Sequence, residues 1–150
     1  MLPSGLTLER GGVKDRPLLL KFLHRSYQEF YPETGFAHLQ DTLTHYLTMD
    51  TPLWWVQTTT GISVGCLWLG SSIDQISGDR HSHIFLLYVV PEYRRQGIGS
   101  ALMATAEQYA KNRGDRQITL QVFATNQTAQ IFYQKLAYNP HAILMRKIVP

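Results

Sequence analysis

Apolar positions early in the chain repeat with a helical period. Leu19, Phe22, Leu23, Ser26/Tyr27 and Phe30 recur at the spacing of one helix face. With Asp15 as N-cap and Pro17 in the first turn, the pattern predicts a helix over 15–30 that stops at Tyr31-Pro32. After a turn at PETG (32–35), Phe36, Leu39, Leu43, Tyr46 and Leu47 repeat the period and predict a second helix to about 48. Ahead of both, GLTLE at 5–9 reads as a short strand closed by Gly11-Gly12.

The pattern then changes to that of strands. PLWWVQT (52–58) and ISVGCLWLG (62–70) are β-branched and aromatic and flank a Thr-Thr-Gly turn, predicting an antiparallel hairpin. The polar stretch GSSIDQISGDRH (70–81) reads as a loop. SHIFLLYVV (82–90) has almost no polar alternation, which implies burial on both faces in mid-sheet. A helix over 97–113 turns Ile98, Ala101, Leu102, Thr105/Ala106 and Tyr109 inward, and Gly114 stops it. QITLQVFA (117–124) is a further buried strand. A short helix opens on Asn126 as cap, with Ala129, Phe132, Tyr133 and Leu136 inward, and HAILMRKIV (141–149) closes the chain as a strand. The order β-α-α-β-β-β-α-β-α-β predicts an α+β domain with helices on both faces of a mixed sheet.

Composition narrows the reading. The chain's 150 residues, 44% of them apolar, suffice for one core and are too few for two ordinary domains, so a single domain over 1–150 is expected. The net charge of +3, from 14 Lys+Arg against 11 Asp+Glu, is spread thinly and offers no basic stripe or stacking motif, which argues against nucleic acid as partner. A compact anionic ligand remains compatible. A single cysteine, Cys66, cannot form an internal disulfide and suggests a reducing compartment. MLPSGLTLERGG lacks the basic and apolar regions of a signal peptide, and no apolar run approaches membrane-spanning length; the expectation is a soluble, cytoplasmic protein with no membrane partner.

PEYRRQGIGSAL (91–102) crowds Arg94, Arg95, Gln96, Gly97, Ile98, Gly99 and Ser100 between a buried strand and a helix. A helix start carries unpaired N–H groups and partial positive charge, and glycine lets a ligand approach that backbone closely. The turn therefore suits a pyrophosphate. It is not a Walker loop, which needs Gly-Lys-Ser/Thr, nor a dinucleotide fingerprint, which wants glycine where Leu102 stands. By itself the stretch also fits a solvated basic turn with glycines placed for packing.

Arg94-x-x-Gly97-x-Gly99, after LYVVPEY and before SALM, resembles the acetyl-CoA signature of the GNAT N-acetyltransferase superfamily. LQVFATNQTAQIFYQKLAY is similar to the second signature of that family, with Ala137-Tyr138 where the pattern has Gly-Phe. The resemblance spans about residues 83–138 and implies the GNAT fold: a layered α/β/α arrangement whose sheet is mostly antiparallel, with parallel strands 4 and 5 splayed apart. It implies that acetyl-CoA is cosubstrate, its pyrophosphate held by residues 94–100 and its pantetheine arm lying against the backbone of Leu87, Tyr88 and Val89. One N–H there would face the thioester oxygen, so a bulge or unpaired N–H is expected near Leu87-Tyr88. Asn126 and Ala129 would hold the arm, and Tyr133, two helical turns after Asn126, would protonate the departing thiolate. The activity implied is direct transfer of an acetyl group to a primary amine of a small molecule or peptide, and the family often forms homodimers. A non-catalytic acyl-CoA-binding module is the second reading.

The general base is left open. Several relatives carry a Glu on the strand before the arginine turn; here His83 and Phe85 occupy the nearest same-face positions, and of the two only His83 can accept a proton. Glu29 and Tyr31, at the end of the first helix, are alternatives. His81 and His83 have the spacing of a strand metal clip, but no cysteine or acid accompanies them in sequence, so no metal is expected. Cys66 reads as a buried small residue rather than a nucleophile. Trp54 and Trp55 must point to opposite sides of their strand, which would leave one at a pocket or a subunit contact.

Overall fold

The structure is a computed structural model and describes residues 1–33 and 35–150. The PETG turn includes Thr34, which lies outside the described residues. The chain divides into two compact units, Met1–Leu120 and Gln121–Pro150.

The first unit is built on a five-stranded sheet in sequential order: β1 (Leu6–Arg10), β2 (Leu53–Thr58), β3 (Ser63–Ile73), β4 (Arg80–Val89) and β5 (Ile118–Leu120). β1 to β4 pair antiparallel, while β4 and β5 run parallel. The parallel pair requires a crossover, which is α3 (Ile98–Arg113). α1 (Arg16–Phe30) and α2 (His38–Tyr46) fill the connection between β1 and β2.

The two faces of the sheet are read from adjacent tryptophans. Trp55 meets Phe22 of α1 edge-on at 5.2 Å, and Phe22 meets Tyr88 of β4 at 5.8 Å. Trp54, on the opposite face, meets Tyr109 of α3 at 5.6 Å and carries the Arg10 guanidinium 4.6 Å above its ring. Both indoles are buried, at 9% and 2% exposure, and Trp54 lines an open cleft with Arg10, Thr105, Gln108 and Tyr109, as the alternation suggested for one of the pair. α3 supplies the second cover. Leu19, Phe22, Leu23, Leu39 and Leu43 form the core on the α1/α2 face; Ile98, Leu102, Met103, Ala106 and Ala110 form it on the α3 face. Asp15 precedes α1 but does not cap it with its side chain. Its carboxylate instead accepts the Gly12 N–H at 2.9 Å and the Trp55 indole N–H at 3.2 Å, tying the start of α1 to β2.

Three boundaries differ from the expectation. β3 and β4 extend into the stretch 70–81, which is a hairpin closed by the Asp74 N–H on the Asp79 carbonyl at 2.9 Å. Polar side chains are tolerated there because the ladder uses backbone groups and the hairpin end is largely exposed. The fifth strand shrinks from 117–124 to Ile118–Leu120. No strand forms at 141–149; a strand exists only as half of a ladder, and Gln121–Pro150 contains no other strand to pair with it.

The second unit holds α4 (Gln127–Lys135). Asn126 caps it as expected, its side-chain oxygen accepting the Ala129 N–H at 3.2 Å. Its far end is a Schellman stop: the Tyr138 N–H bonds the Tyr133 carbonyl and the Ala137 N–H bonds the Gln134 carbonyl, both at 3.0 Å. That motif puts Ala137 in the left-handed region at φ 69°. An L-residue there costs about 1–2 kcal/mol, whereas glycine's extra freedom in the unfolded chain costs about 0.4–1 kcal/mol. Ala137→Gly is therefore expected to raise the melting temperature; an unchanged or lower value in thermal unfolding would mean that the left-handed turn carries no strain.

Candidate active site

The candidate site begins where two strands part. β4 is paired to β3 along its whole length, but to β5 only at Ser82, His83 and Ile84. Backbone groups alternate between the two edges of a strand. The Val90 N–H goes to the Val64 carbonyl on the β3 side at 2.9 Å, so the N–H and C=O groups of Leu87 and Val89 point to the other edge. Beyond Ile84 that edge has no strand partner within the unit.

A bulge accompanies the parting, though not at Leu87-Tyr88. Trp68 pairs with Leu86 and Leu69 with Ile84, so Phe85 is the extra residue. Its ring lies 5.0 Å from those of both Trp68 and Tyr46, on the α1/α2 face. It can do so because Gly70 sits beneath it: a Cβ at Gly70 would come within 1.9 Å of Phe85 Cε2. Inserting one residue reverses the alternation on either side of it. His83, opposite Gly70, therefore shares the α1/α2 face with Phe85, Leu86 and Tyr88, while Leu87 falls on the α3 face.

At the carboxyl end of β4 the chain turns at Pro91–Tyr93 into the start of α3. Arg95 and Gly97 both adopt left-handed backbone, at φ 62° and 84°. Glycine takes this conformation without cost, whereas Arg95 is held in it against its preference, a mark found often at ligand sites. No side chain caps α3; its first backbone bond is the Ala101 N–H to the Gly97 carbonyl at 3.0 Å. The N–H groups of Ile98, Gly99 and Ser100 are left without helical acceptors, and nothing stands within 4 Å of where a Gly97 Cβ would be. Successive left-handed and helical residues with their N–H groups gathered in this way form an anion-binding concavity.

Arg94 is not part of that open surface. Its guanidinium grips both carboxylate oxygens of Glu29 at the end of α1, at 2.5 and 2.7 Å, and its Nε donates to the Val89 carbonyl at 2.8 Å. It also lies 5.3 Å from the Tyr88 ring centre. Arg94 holds Glu29 below its ordinary pKa by hydrogen bond and charge, against the opposing effect of burial. A carboxylate so engaged is a poor proton acceptor, which removes Glu29 as a base.

His83 is half-buried and its Nδ1 lies 2.8 Å from the Thr119 hydroxyl of β5. Burial, with the neighbouring His81, pulls its pKa below the ordinary 6.5, so the neutral, proton-accepting form prevails at pH 7. Cys66 is fully enclosed, and burial pushes its thiol well up, as befits an inert core residue. Among the described residues no group of three or more His, Cys, Asp or Glu side chains is placed to hold a metal ion, and no helix is long and apolar enough to cross a membrane.

In the second unit Tyr133 stacks edge-on with Phe132 at 5.0 Å and Tyr138 at 5.9 Å. Burial pushes its phenol up to about 12, so it stays protonated across the neutral range. The Asn126 side-chain oxygen is committed to the helix cap. Sequence reasoning singled out His83 but missed Thr119 and the Arg94–Glu29 pair, because partners 36 and 65 residues apart leave no local signal.

An uncapped helix start at the carboxyl end of a strand that parts from its parallel neighbour is an arrangement suited to an extended anionic ligand. The family model described as "Acetyltransferase (GNAT) family" matches residues 20–138, and the chain belongs to that family. An uncharacterised N-acetyltransferase of Bacillus subtilis, YdgE, is 29% identical over 108 residues, 72% of this chain and 64% of the relative. The chain thus spans just under two thirds of that relative's length. Among solved structures, a GCN5-related N-acetyltransferase from Ralstonia eutropha superposes with TM-score 0.75 at 19% identity, covering 96% of this chain and 99% of that one. AAC(6')-Iy in complex with the bisubstrate analogue CoA-S-monomethyl-acetylneamine superposes with TM-score 0.73 at 16% identity, covering 97% and 100%. At these identities the two structures bear on the fold.

The Arg94–Glu29 pair gives a pH prediction. A carboxylate whose folded pKa is depressed stabilises the fold above its unfolded pKa and loses that contribution as pH falls through the folded value. The pair is partly exposed, so the effect is modest, on the order of 1 kcal/mol or less. Glu29→Gln should lower the melting temperature at pH 7, and its difference from wild type should shrink as pH drops below about 4.5; a difference that persists at low pH would mean the ion pair is not its source.

Proposed function

We propose that this protein transfers an acetyl group from acetyl-CoA to a primary amine. The observation that carries the reading is the open, uncapped start of α3 behind the left-handed turn at Arg95–Gly97, set at the end of the strand whose Leu87 and Val89 backbone groups lack a strand partner within the unit. Backbone N–H groups of residues 95–100 suit a diphosphate, and the Arg95 side chain adds charge. The freed edge of β4 suits an amide-bearing pantetheine arm, which can bond to it as a strand would.

The chemistry asks three things of the chain. An amine acceptor is an ammonium ion at pH 7 and must lose a proton before its lone pair can attack. His83 takes that proton and becomes imidazolium. As the C–N bond forms, a backbone N–H on the free edge, at Leu87 or Val89, meets the charge that develops on the carbonyl oxygen. The family pattern assigns the Tyr133 phenol to the departing sulfur when the C–S bond breaks. A phenol near 12 gives its proton to a thiolate of ordinary pKa only uphill, so Tyr133 serves best as a strong hydrogen-bond donor that lets the proton follow. The balance is one amide, one thiol and one proton released. Asn126 and Ala129 are assigned to the pantetheine arm by the family pattern.

The acceptor reads as a small amine. Tyr46 and Phe85 give the His83 face aromatic surface, and the solved neighbour AAC(6')-Iy is an aminoglycoside N-acetyltransferase. At about 100 times its Kd, acetyl-CoA should stabilise the protein by about 2.7 kcal/mol, seen as a rise in melting temperature. Thiol release across polyamines, amino acids, aminoglycosides and peptides would then name the acceptor. Tyr133→Phe should cut kcat by about 100-fold with CoA binding retained; unchanged turnover would remove Tyr133 from the mechanism. Absence of both thermal shift and thiol release would overturn the reading as a whole, while a shift without release would leave a binding module.

A further inference from the structure

His83 does not stand alone. Its Nδ1 and the Nε2 of His81 both lie within hydrogen-bond distance of one hydroxyl, Thr119 Oγ1, at 2.8 and 3.0 Å. The far nitrogen of His81, Nδ1, meets the side-chain amide of Gln117 at 3.3 Å. The four side chains form a chain between two parallel strands, held in place by the pairing of His83 with Thr119. His81 is 4% exposed.

A hydroxyl has one proton to give and two lone pairs to offer. If Thr119 donates to His83, the ring keeps its proton on Nε2 and cannot accept one there. If His83 instead donates Nδ1–H to Thr119, the Nε2 lone pair is free. Protonated His83 must donate from both nitrogens, so only the second arrangement passes through the base's working cycle without the hydroxyl turning over. For it to hold, the proton of Thr119 needs another acceptor, and His81 Nε2 supplies one. His81 then carries its own proton on Nδ1, which the Gln117 amide oxygen accepts once the amide is turned end for end, its two ends being the same shape.

We propose that the Thr119 hydroxyl, backed by His81 and Gln117, fixes His83 with its proton on Nδ1 and its Nε2 lone pair presented to the acceptor ammonium. Thr119, His81 and Gln117 are positioning residues; His83 is the group that takes the proton, and this role rests on the transfer reading above. The groups bonded to the two rings are uncharged. Titratable groups on this face among the described residues include Tyr46 of α2, against Phe85, with His45 beside it, Tyr88 with Glu29, Arg94 and Arg25 farther along β4, and Asp15 and Cys66 near Trp55 and Tyr88. Asp115 and Arg113 bond to Ser82 and Ser71 on the α3 face. Removing the hydroxyl takes away the acceptor of the imidazolium Nδ1–H, so it should weaken the base and move its pKa further down.

Two measurements on the intact protein test this. Long-range proton–nitrogen correlation spectra of the imidazoles should show His83 as the Nδ1–H form in wild type and in Thr119→Ser, and lose that form in Thr119→Val. In turnover with the amine identified above, Thr119→Val should lower kcat about tenfold and move the acid limb of kcat/KM to lower pH, with Thr119→Ser close to wild type. Equal losses in both variants with the limb unmoved would indicate packing alone and overturn the proposal, as would an Nε2–H form in wild type. A wild type that turns over but shows His83 as Nε2–H removes only the role of Thr119. A wild type silent toward every amine removes the transfer reading and that role together.

Discussion

β4 is paired on one edge throughout and on the other for three residues, and the rest of the site follows from that asymmetry. Backbone N–H and C=O groups in the middle of a sheet are strong hydrogen-bonding partners that are costly to leave unmet when buried. Parting β4 from β5 after Ile84 leaves the groups of Leu87 and Val89 without a strand to bond within the unit. The Val89 carbonyl is met by Arg94 Nε, and an extended ligand that itself presents amide groups, as proposed above, is suited to bond the remainder.

The bulge at Phe85 and the turn after Val89 use this opening differently. The bulge changes which face each side chain takes, placing His83 with Phe85, Tyr46 and the buried Trp68 while the backbone edge without a strand partner lies farther along the same strand. In the proposed reading one strand offers side chains for proton transfer and backbone for ligand binding. The turn divides labour again. Arg94 spends its charge on Glu29, fastening the end of α1 to the end of β4, and in the proposed reading the anion falls to the backbone N–H groups beside the left-handed residues at 95 and 97.

A histidine base, as proposed for His83, differs from a carboxylate base in the electrostatics of proton transfer. A carboxylate base is an anion whose burial raises its pKa; a histidine base is neutral at rest, and burial lowers its pKa. His83 gains availability at neutral pH and loses proton affinity. A hydrogen-bond acceptor behind Nδ1 offsets part of that loss without placing a second charge in the sheet.

Local pattern was enough for most of the elements. The spacing of Leu19, Phe22 and Leu23 and the caps at Asn126 and Gly114 set helices within two or three residues, because periodicity and capping act within a few turns. The glycines of the arginine turn were legible for the same reason: a helix start and left-handed backbone are properties of adjacent residues. Position 137 was legible as a departure, and its left-handed φ explains why the pattern has glycine there. Pairing decided everything else. The hairpin that absorbed 70–81, the shortened β5 and the bulge at Phe85 depend on which backbone a strand meets. The engagement of Arg94 by Glu29, and of His83 by Thr119, depends on side chains brought together from distant parts of the chain. Hydrogen bonds between residues far apart in sequence are written only in three dimensions, and they determine which of the candidate groups is free to accept a proton.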